Sequence, residues 1–235
     1  PPRQRHAAAD PRRMTRRRLA VLASGRGSNL AAIAAACRDG HIDAELALLL
    51  CNVPGAGALQ GAQRCAVPAR CIDHRQYRER RLFDDALHEA LAQARIDLVA
   101  LAGFMRILGE DFVRAWCGSL LNIHPSLLPR YPGLHTHERA LAAGDREAGA
   151  TVHFVIPALD AGPAILRAHV PVRPGDDPRT LAGRVLRAEH RIYPLALAWC
   201  AAGTVTLRDG RAWMHGEAIS DRGGLRLDVA GDGSA

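Results

Sequence analysis

The sequence predicts an α/β fold: a mostly parallel, twisted sheet of about seven strands flanked by helices, with a C-terminal hairpin. Three observations point there. Short runs of Val, Leu, Ile and Ala recur between helical stretches and are apolar throughout, as buried parallel strands are. The first run is followed by Ser24-Gly25-Arg26-Gly27-Ser28-Asn29 and then an Ala-rich helical stretch, the strand–loop–helix start of an α/β unit. Near the end, two short runs flank Asp209-Gly210, a tight-turn pair.

Size and composition narrow the class. A chain of 235 residues, 48% hydrophobic, suffices for one domain with a sizeable core. No apolar run reaches the roughly 18 residues of a membrane span. Residues 1–18 lack the apolar centre of a secretory signal, and a disordered leader over 1–17 is expected rather than an organelle transit peptide. The formal net charge is +7, and Arg3, Arg5, Arg12, Arg13, Arg16, Arg17 and Arg18 against Asp10 contribute +6 of it, leaving +1 for residues 19–235. A nearly neutral body with few aromatics argues against a specific nucleic-acid surface. Every basic residue is Arg, so lysine Schiff-base chemistry is excluded. The six cysteines (Cys37, Cys51, Cys65, Cys71, Cys117, Cys200) form no C-x-x-C and read as reduced, buried thiols of a reducing cytoplasm.

In order, residues 18–23 read as the first strand. The glycine loop after it can bring backbone close to an anion, where the helix N-terminus offers free N–H groups; Ser28 or Asn29 can cap that helix (30–37) or touch the ligand. The third glycine of a dinucleotide fingerprint is missing, because Leu30 stands there, which favours a monophosphate. Residues 44–50, 69–72 and 96–102 read as further strands. Between them lie a short helix at 58–65 and a long amphipathic one at 77–94, with Leu82, Ala86, Ala90 and Ala94 on one face. The stretch 103–109 reads either as a wall for a flat ring or as a plain connection to a helix at 110–116.

The apolar run 119–121 leads into Asn122-Ile123-His124-Pro125, where proline prevents a helix. Extended geometry puts Asn122 and His124 on one face, an amide beside an imidazole suited to stabilising an oxyanion and moving a proton. A helix follows at 136–143. His135 and His137 do not share a helical face, and no metal is expected. Residues 151–156 and 164–170 read as strands, with His153 on the outward side as packing or surface. Asp160 sits at the turn between them, either as an Asx-type cap or as a carboxylate aimed at His124. A helix at 180–201 contains Pro194, a kink or break. Strands at 204–207 and 211–214 make the hairpin, and the chain is expected to fray from Gly223.

Four segments in this order, SGRGSNL (24–30), LAGFMRIL (101–108), NIHPSLLPRYPGLHTH (122–137) and the set TVHFV, LDAGP and EHRIYP (151–194), resemble the phosphoribosylglycinamide formyltransferase family of folate-dependent purine biosynthesis. The resemblance covers roughly residues 18–215. It implies a formyltransferase-type Rossmann-like domain over 18–215 and a C-terminal tail over 216–235. It also implies formyl transfer from 10-formyltetrahydrofolate to the amine of glycinamide ribonucleotide. By the same resemblance, Gly27, Ser28, Asn29, Leu30 and Ala31 would hold the substrate phosphate and Glu189 its ribose. Arg80, Met105, Arg106, Ile107, Leu108 and Asn122 would hold the folate, and Asn122, His124 and Asp160 match the catalytic trio. Asp160 would orient His124, favour its charged form and assist proton transfer. A metal-free, cytoplasmic monomer or homodimer is expected. Arg26 and Leu186 depart from the family pattern. Methionyl-tRNA formyltransferase and formyltetrahydrofolate deformylase share the folate core but carry an additional domain, for which this length leaves no room. A non-enzymatic nucleotide- or RNA-binding module is the other alternative, disfavoured by Asn122, His124 and Asp160 occurring together.

Overall fold

The computed structural model describes residues 16–219 and 224–229. The leader lies outside them apart from Arg16 and Arg17. The elements in order are β1 (Arg17–Ala23), α1 (Ser28–Arg38), β2 (Ala44–Cys51), α2 (Gly57–Arg64), β3 (Ala69–Cys71), α3 (Arg80–Gln93), β4 (Leu98–Leu101) and α4 (Glu110–Ala115). They continue with β5 (Leu120–His124), α5 (Thr136–Ala142), β6 (Glu147–Phe154), β7 (Ala164–Pro171), α6 (Pro178–Ala201), β8 (Val205–Arg208), β9 (Arg211–Met214), β10 (Glu217–Ala218) and β11 (Leu225–Asp228).

The main sheet has eight strands in the order β11-β7-β6-β5-β4-β1-β2-β3. Pairings from β3 through β5 are parallel, β5–β6 and β6–β7 are antiparallel, and β11 joins β7 in parallel. The β1 strand shows why its residues are apolar without alternation. Leu19, Val21 and Ala23 face a core shared with α1, α2 and α6, while Ala20 and Leu22 face a second core built on Phe83, Leu87, Leu91 and Phe112 of α3 and α4. A strand buried on both faces has no polar side. Strand order reverses between β1 and β4, so the loops leaving their carboxyl ends flank one crevice, the place where open α/β sheets hold ligands.

The sheet is thus the expected one plus an eighth strand. That strand, β11, comes from the segment read as a fraying tail; Leu225 and Leu227 alternate with polar residues and pack on the first core, which explains the pairing. The hairpin β8–β9 is extended to three strands by β10. Helix α3 starts later than expected, at Arg80 after a 3₁₀ turn at His74–Gln76. It buries Phe83, Leu87, Ala90 and Leu91, leaving Leu82 43% exposed. Alanines at 86, 90 and 94 fit either face; the Phe83–Leu87–Leu91 stripe, with far more apolar area, decides the rotation. Helix α6 runs unbroken through Pro194. The bond Pro194 cannot make to His190 is outweighed by burial of Tyr193, Ala196 and Leu197 on either side. Cys71 and Cys117 are exposed rather than buried. No helix among the described residues is long and apolar enough to cross a membrane.

Candidate active site

The first wall of the crevice is the loop between β1 and α1. Gly27 adopts φ +78° as the residue capping α1, and a Cβ there would lie 2.7 Å from Cα of Ala58. Only glycine allows both that conformation and that approach. Neither Ser28 nor Asn29 caps the helix with its side chain. The first-turn amides of Ser28, Asn29 and Leu30 precede the first intrahelical bond, which the Ala31 N–H makes to the Gly27 carbonyl at 3.2 Å. Ala31 therefore has its donor already engaged. The Asn29 side chain turns inward instead, its Nδ2 donating to Oε2 of Glu189 on α6 at 2.7 Å. Burial pushes the Glu189 carboxyl up, and the Asn29 donor opposes this. Asn29 Oδ1 is buried without a hydrogen-bond partner. Arg26 is exposed beside this loop, and Leu186 is half-buried on α6.

The second wall is the loop 103–109. Phe104 and Leu108 lean on the second core, while Met105 (66%) and Ile107 (61%) are exposed. Arg106 on this loop and Arg80 at the start of α3 are exposed cations.

Between the walls stands β5. Leu121 and Ile123 point into the first core, so Asn122 and His124 share the opposite face. Both lie within the strand itself, not in the loop after it. The antiparallel neighbour β6 sets His153 opposite Asn122 and Thr151 opposite His124. The turn after β6 then brings in Asp160. Gly162 is needed for that turn, because a Cβ there would run into the Phe154 carbonyl. Asp160 itself sits at φ 50°, a conformation aspartate tolerates, and its carboxylate points inward with 8% of its side-chain surface exposed.

Oδ2 of Asp160 lies 3.4 Å from Nδ1 of His124 and accepts from the Gly133 N–H at 2.9 Å. Its other oxygen lies 3.8 Å from Nε2 of His153. On the far side of the His124 ring, Nε2 is 2.9 Å from the Tyr131 carbonyl. A carbonyl only accepts, so Nε2 carries a proton, and the other ring nitrogen, Nδ1, faces Asp160. The sequence-predicted trio is thus brought together.

His153 was not singled out by sequence as a site residue; it is 1% exposed and central. Its Nδ1 is 2.9 Å from the Phe154 carbonyl, which requires a proton there and leaves Nε2 a lone pair. That lone pair faces the Asn122 amide nitrogen at 3.1 Å. Burial holds the His153 ring below the ordinary histidine range, so the neutral, accepting form prevails at neutral pH. Alternation in residues 151–156 puts His153 opposite Val152, but only the antiparallel register with β5 identifies its partner. His135 is exposed near Glu138 and His137 is half-buried, its ring pushed down by burial. Among the described residues, no group of three or more His, Cys, Asp or Glu side chains is arranged to hold a metal ion.

Residues 17–197 match the model of the formyl transferase family. The chain belongs to the formyl transferase family. It is 42% identical over 205 residues to the phosphoribosylglycinamide formyltransferase of Escherichia coli, covering 87% of this chain and 97% of that one. It is 47% identical over 194 residues to the trifunctional purine biosynthetic protein adenosine-3 of Drosophila melanogaster, covering 82% of this chain but only 14% of that much longer protein. Among solved structures, the phosphoribosylglycinamide formyltransferase of Coxiella burnetii superposes with a TM-score of 0.86 at 41% identity, covering 90% of this chain and 99% of that one. This formyl transferase fold therefore carries the crevice, the glycine loop and the grouping of Asn122, His124 and Asp160 in one unit.

Proposed function

We propose that this formyl transferase moves a formyl group from 10-formyltetrahydrofolate to the amine of glycinamide ribonucleotide, as a soluble cytoplasmic enzyme of purine biosynthesis. The observation that carries the reading is the meeting of Asn122, His124 and Asp160 at the end of β5, with Nδ1 of His124 3.4 Å from Asp160, beside a helix N-terminus suited to a phosphate. The likeness to named relatives that the match covers almost end to end supports it further.

Each wall fits one substrate by its chemistry. The first-turn amides of α1 would receive the phosphate, with Gly27 giving backbone access. Glu189 would accept from ribose hydroxyls, and the unpartnered Oδ1 of Asn29 is a ready second acceptor. Exposed Met105 and Ile107 would cover a flat heterocycle, with Arg106, Leu108 and backbone of this loop at its edge. Arg80 suits the carboxylates of the folate tail. The residues present thus fit the donor, which supplies an activated formyl carbon.

In the step itself, the substrate amine attacks the formyl carbon and a new C–N bond forms as the carbonyl electrons move onto oxygen. Asn122, as a neutral donor, stabilises that oxyanion, a contact worth roughly 3–4 kcal/mol, and an imidazolium at His124, its ring nitrogens facing the Tyr131 carbonyl and Asp160, would add positive charge beside it. The bond to the folate nitrogen then breaks, and the proton lost by the amine goes to that nitrogen, with Asp160 holding the relay. His153 keeps Asn122 turned so that its amide faces the reacting centre. The reaction needs no covalent enzyme intermediate.

The test is the absorbance change as a formyl-folate analogue is deformylated in the presence of glycinamide ribonucleotide. Product formation only with the amine supports transfer, whereas hydrolysis without it points to the deformylase alternative. Asp160→Asn is expected to lower kcat by roughly 10²-fold or more with KM values changed little. Undiminished turnover in that variant would remove Asp160 from the mechanism.

A further inference from the structure

The loop 103–109 rests Phe104 and Leu108 on the second core but presents Met105 and Ile107 to solvent, so packing alone does not hold the backbone between its ends. Two polar side chains from elsewhere in the chain do so. At the first end, the Ser24 N–H donates to the Gly103 carbonyl at 3.0 Å, and the Met105 N–H donates to Ser24 Oγ at 2.7 Å. A hydroxyl has one hydrogen, and that of Ser24 goes to Oδ1 of Asn52 at 2.6 Å. Ser24 Oγ is therefore locked with its lone pairs toward Met105. Asn52 is 1% exposed and is itself held at the end of β2, where its carbonyl lies 2.9 Å from Nδ1 of His74.

At the second end, the Gly109 N–H donates to Oδ2 of Asp84 at 2.8 Å. Asp84 is 6% exposed on α3, and its other oxygen is buried without a hydrogen-bond partner. Burial pushes this carboxyl up, opposed by the Gly109 N–H and by Arg80 and Arg106. An acid placed against the apolar face of a helix, with one oxygen unsatisfied, costs stability. An apolar residue would pack better there, so the contribution of Asp84 lies in what its other oxygen holds.

We infer that Ser24 and Asp84 are positioning residues for the formyl donor: they clamp the two ends of the loop 103–109 and hold its backbone where the ring of the donor binds. The inference rests on the proposed formyl transfer and extends it to two residues that touch neither substrate. Asp84 lies on the donor side of the crevice; Ser24 opens the β1–α1 loop, but its hydroxyl is engaged with Asn52 and Met105 and takes no part in the Asn29–Glu189 contact. Loss of either side chain is therefore expected to act on the donor loop and to leave the Asn29–Glu189 contact in place.

The experiment is steady-state kinetics on the full chain, varying each substrate separately, with thermal melts alongside. Ser24→Ala and Asp84→Ala are each expected to raise KM for the formyl donor roughly tenfold. KM for glycinamide ribonucleotide is expected to stay within about twofold and kcat within about threefold. Asp84→Asn keeps an acceptor for Gly109 and removes the buried charge; it is expected to restore the donor KM to within about twofold of wild type. Ser24→Ala, a small change at a half-buried position, reads the first clamp even if Asp84→Ala does not fold. An active wild type whose variants lose thermal stability but keep the donor KM would overturn the clamp alone. Equal rises in both KM values would overturn it too. A wild type that transfers no formyl group would instead overturn the reaction, and the clamp with it.

Discussion

His153→Leu removes the contact that turns the Asn122 amide. In the wild type the neutral ring accepts from Asn122 Nδ2 at 3.1 Å while its own Nδ1–H is spent on the Phe154 carbonyl. Leucine fills much of the volume but offers no acceptor, so the amide is free to rotate and one N–H loses its partner. An orphaned neutral donor costs about 1–3 kcal/mol. Deleting the Asn122 donor outright sets the ceiling, roughly 3–4 kcal/mol. Misorienting it should cost about 1–2 kcal/mol at the transition state, or roughly 5- to 30-fold in kcat with both KM values near wild type. Stopped assays of formyl transfer across both substrates, on protein shown folded by circular dichroism, give the number. A kcat within about twofold of wild type would refute the claim that His153 orients Asn122. A pH dependence follows as well. The folded state holds this ring below its ordinary value of 6.5, so below that pH the unfolded chain binds the proton more readily. Wild-type stability, measured relative to the variant, is then complete above about pH 6.5 and declines as pH falls below it. Denaturant melts of both proteins from pH 5 to 8 should show that slope, and an opposite slope would mean the ring is favoured in its charged form.

Further outcomes follow from the walls and the frame. Gly27→Ala must place a Cβ at φ +78°, 2.7 Å from Cα of Ala58; it should destabilise by about 2 kcal/mol and raise KM for the phosphorylated substrate, while the donor KM holds. Equal stability and unchanged KM would show that the loop can move. Asp176 accepts two hydrogen bonds from the buried Arg184, at 2.6 and 2.9 Å, and this guanidinium holds its carboxyl down at about 2. Stability from this pair is present above the ordinary value of 3.8 and is lost as pH falls through about 2. Asp176→Asn should cost about 1–3 kcal/mol at neutral pH and flatten the acid limb of the stability curve, readable by urea melts from pH 2 to 7. A variant with an unchanged acid limb would assign that limb to other carboxylates.

Much of the frame was legible because it rests on short-range pattern. Continuous apolar runs marked β1 and β4 as buried strands, and the glycine loop marked where α1 follows, although the helix begins at Ser28, two residues earlier than expected and capped by Gly27. Reading failed where pattern was degenerate or partners were distant. Alanines spaced four apart did not reveal which face of α3 is buried. Alternation in Leu225–Asp228 was too short to stand out from a Gly/Asp-rich segment, yet the edge of β7 captures it. Local grounds make Pro194 a kink or a break; the helix does not break there, because both sides of it are packed in the core.

By itself, the sequence determined the fold class, the glycine loop before α1, the family and the amide–imidazole pair of β5, since each is encoded in residues close together along the chain. Only the tertiary structure decided what those groups face. The antiparallel register of β5 and β6 sets His153 against Asn122, and a glycine-dependent turn carries Asp160 to Nδ1 of His124 from 36 positions away. The packing of α1 against α6 joins Asn29 to Glu189. Sheet register and helix packing are settled by the burial of a whole core, a global sum that no local stretch contains.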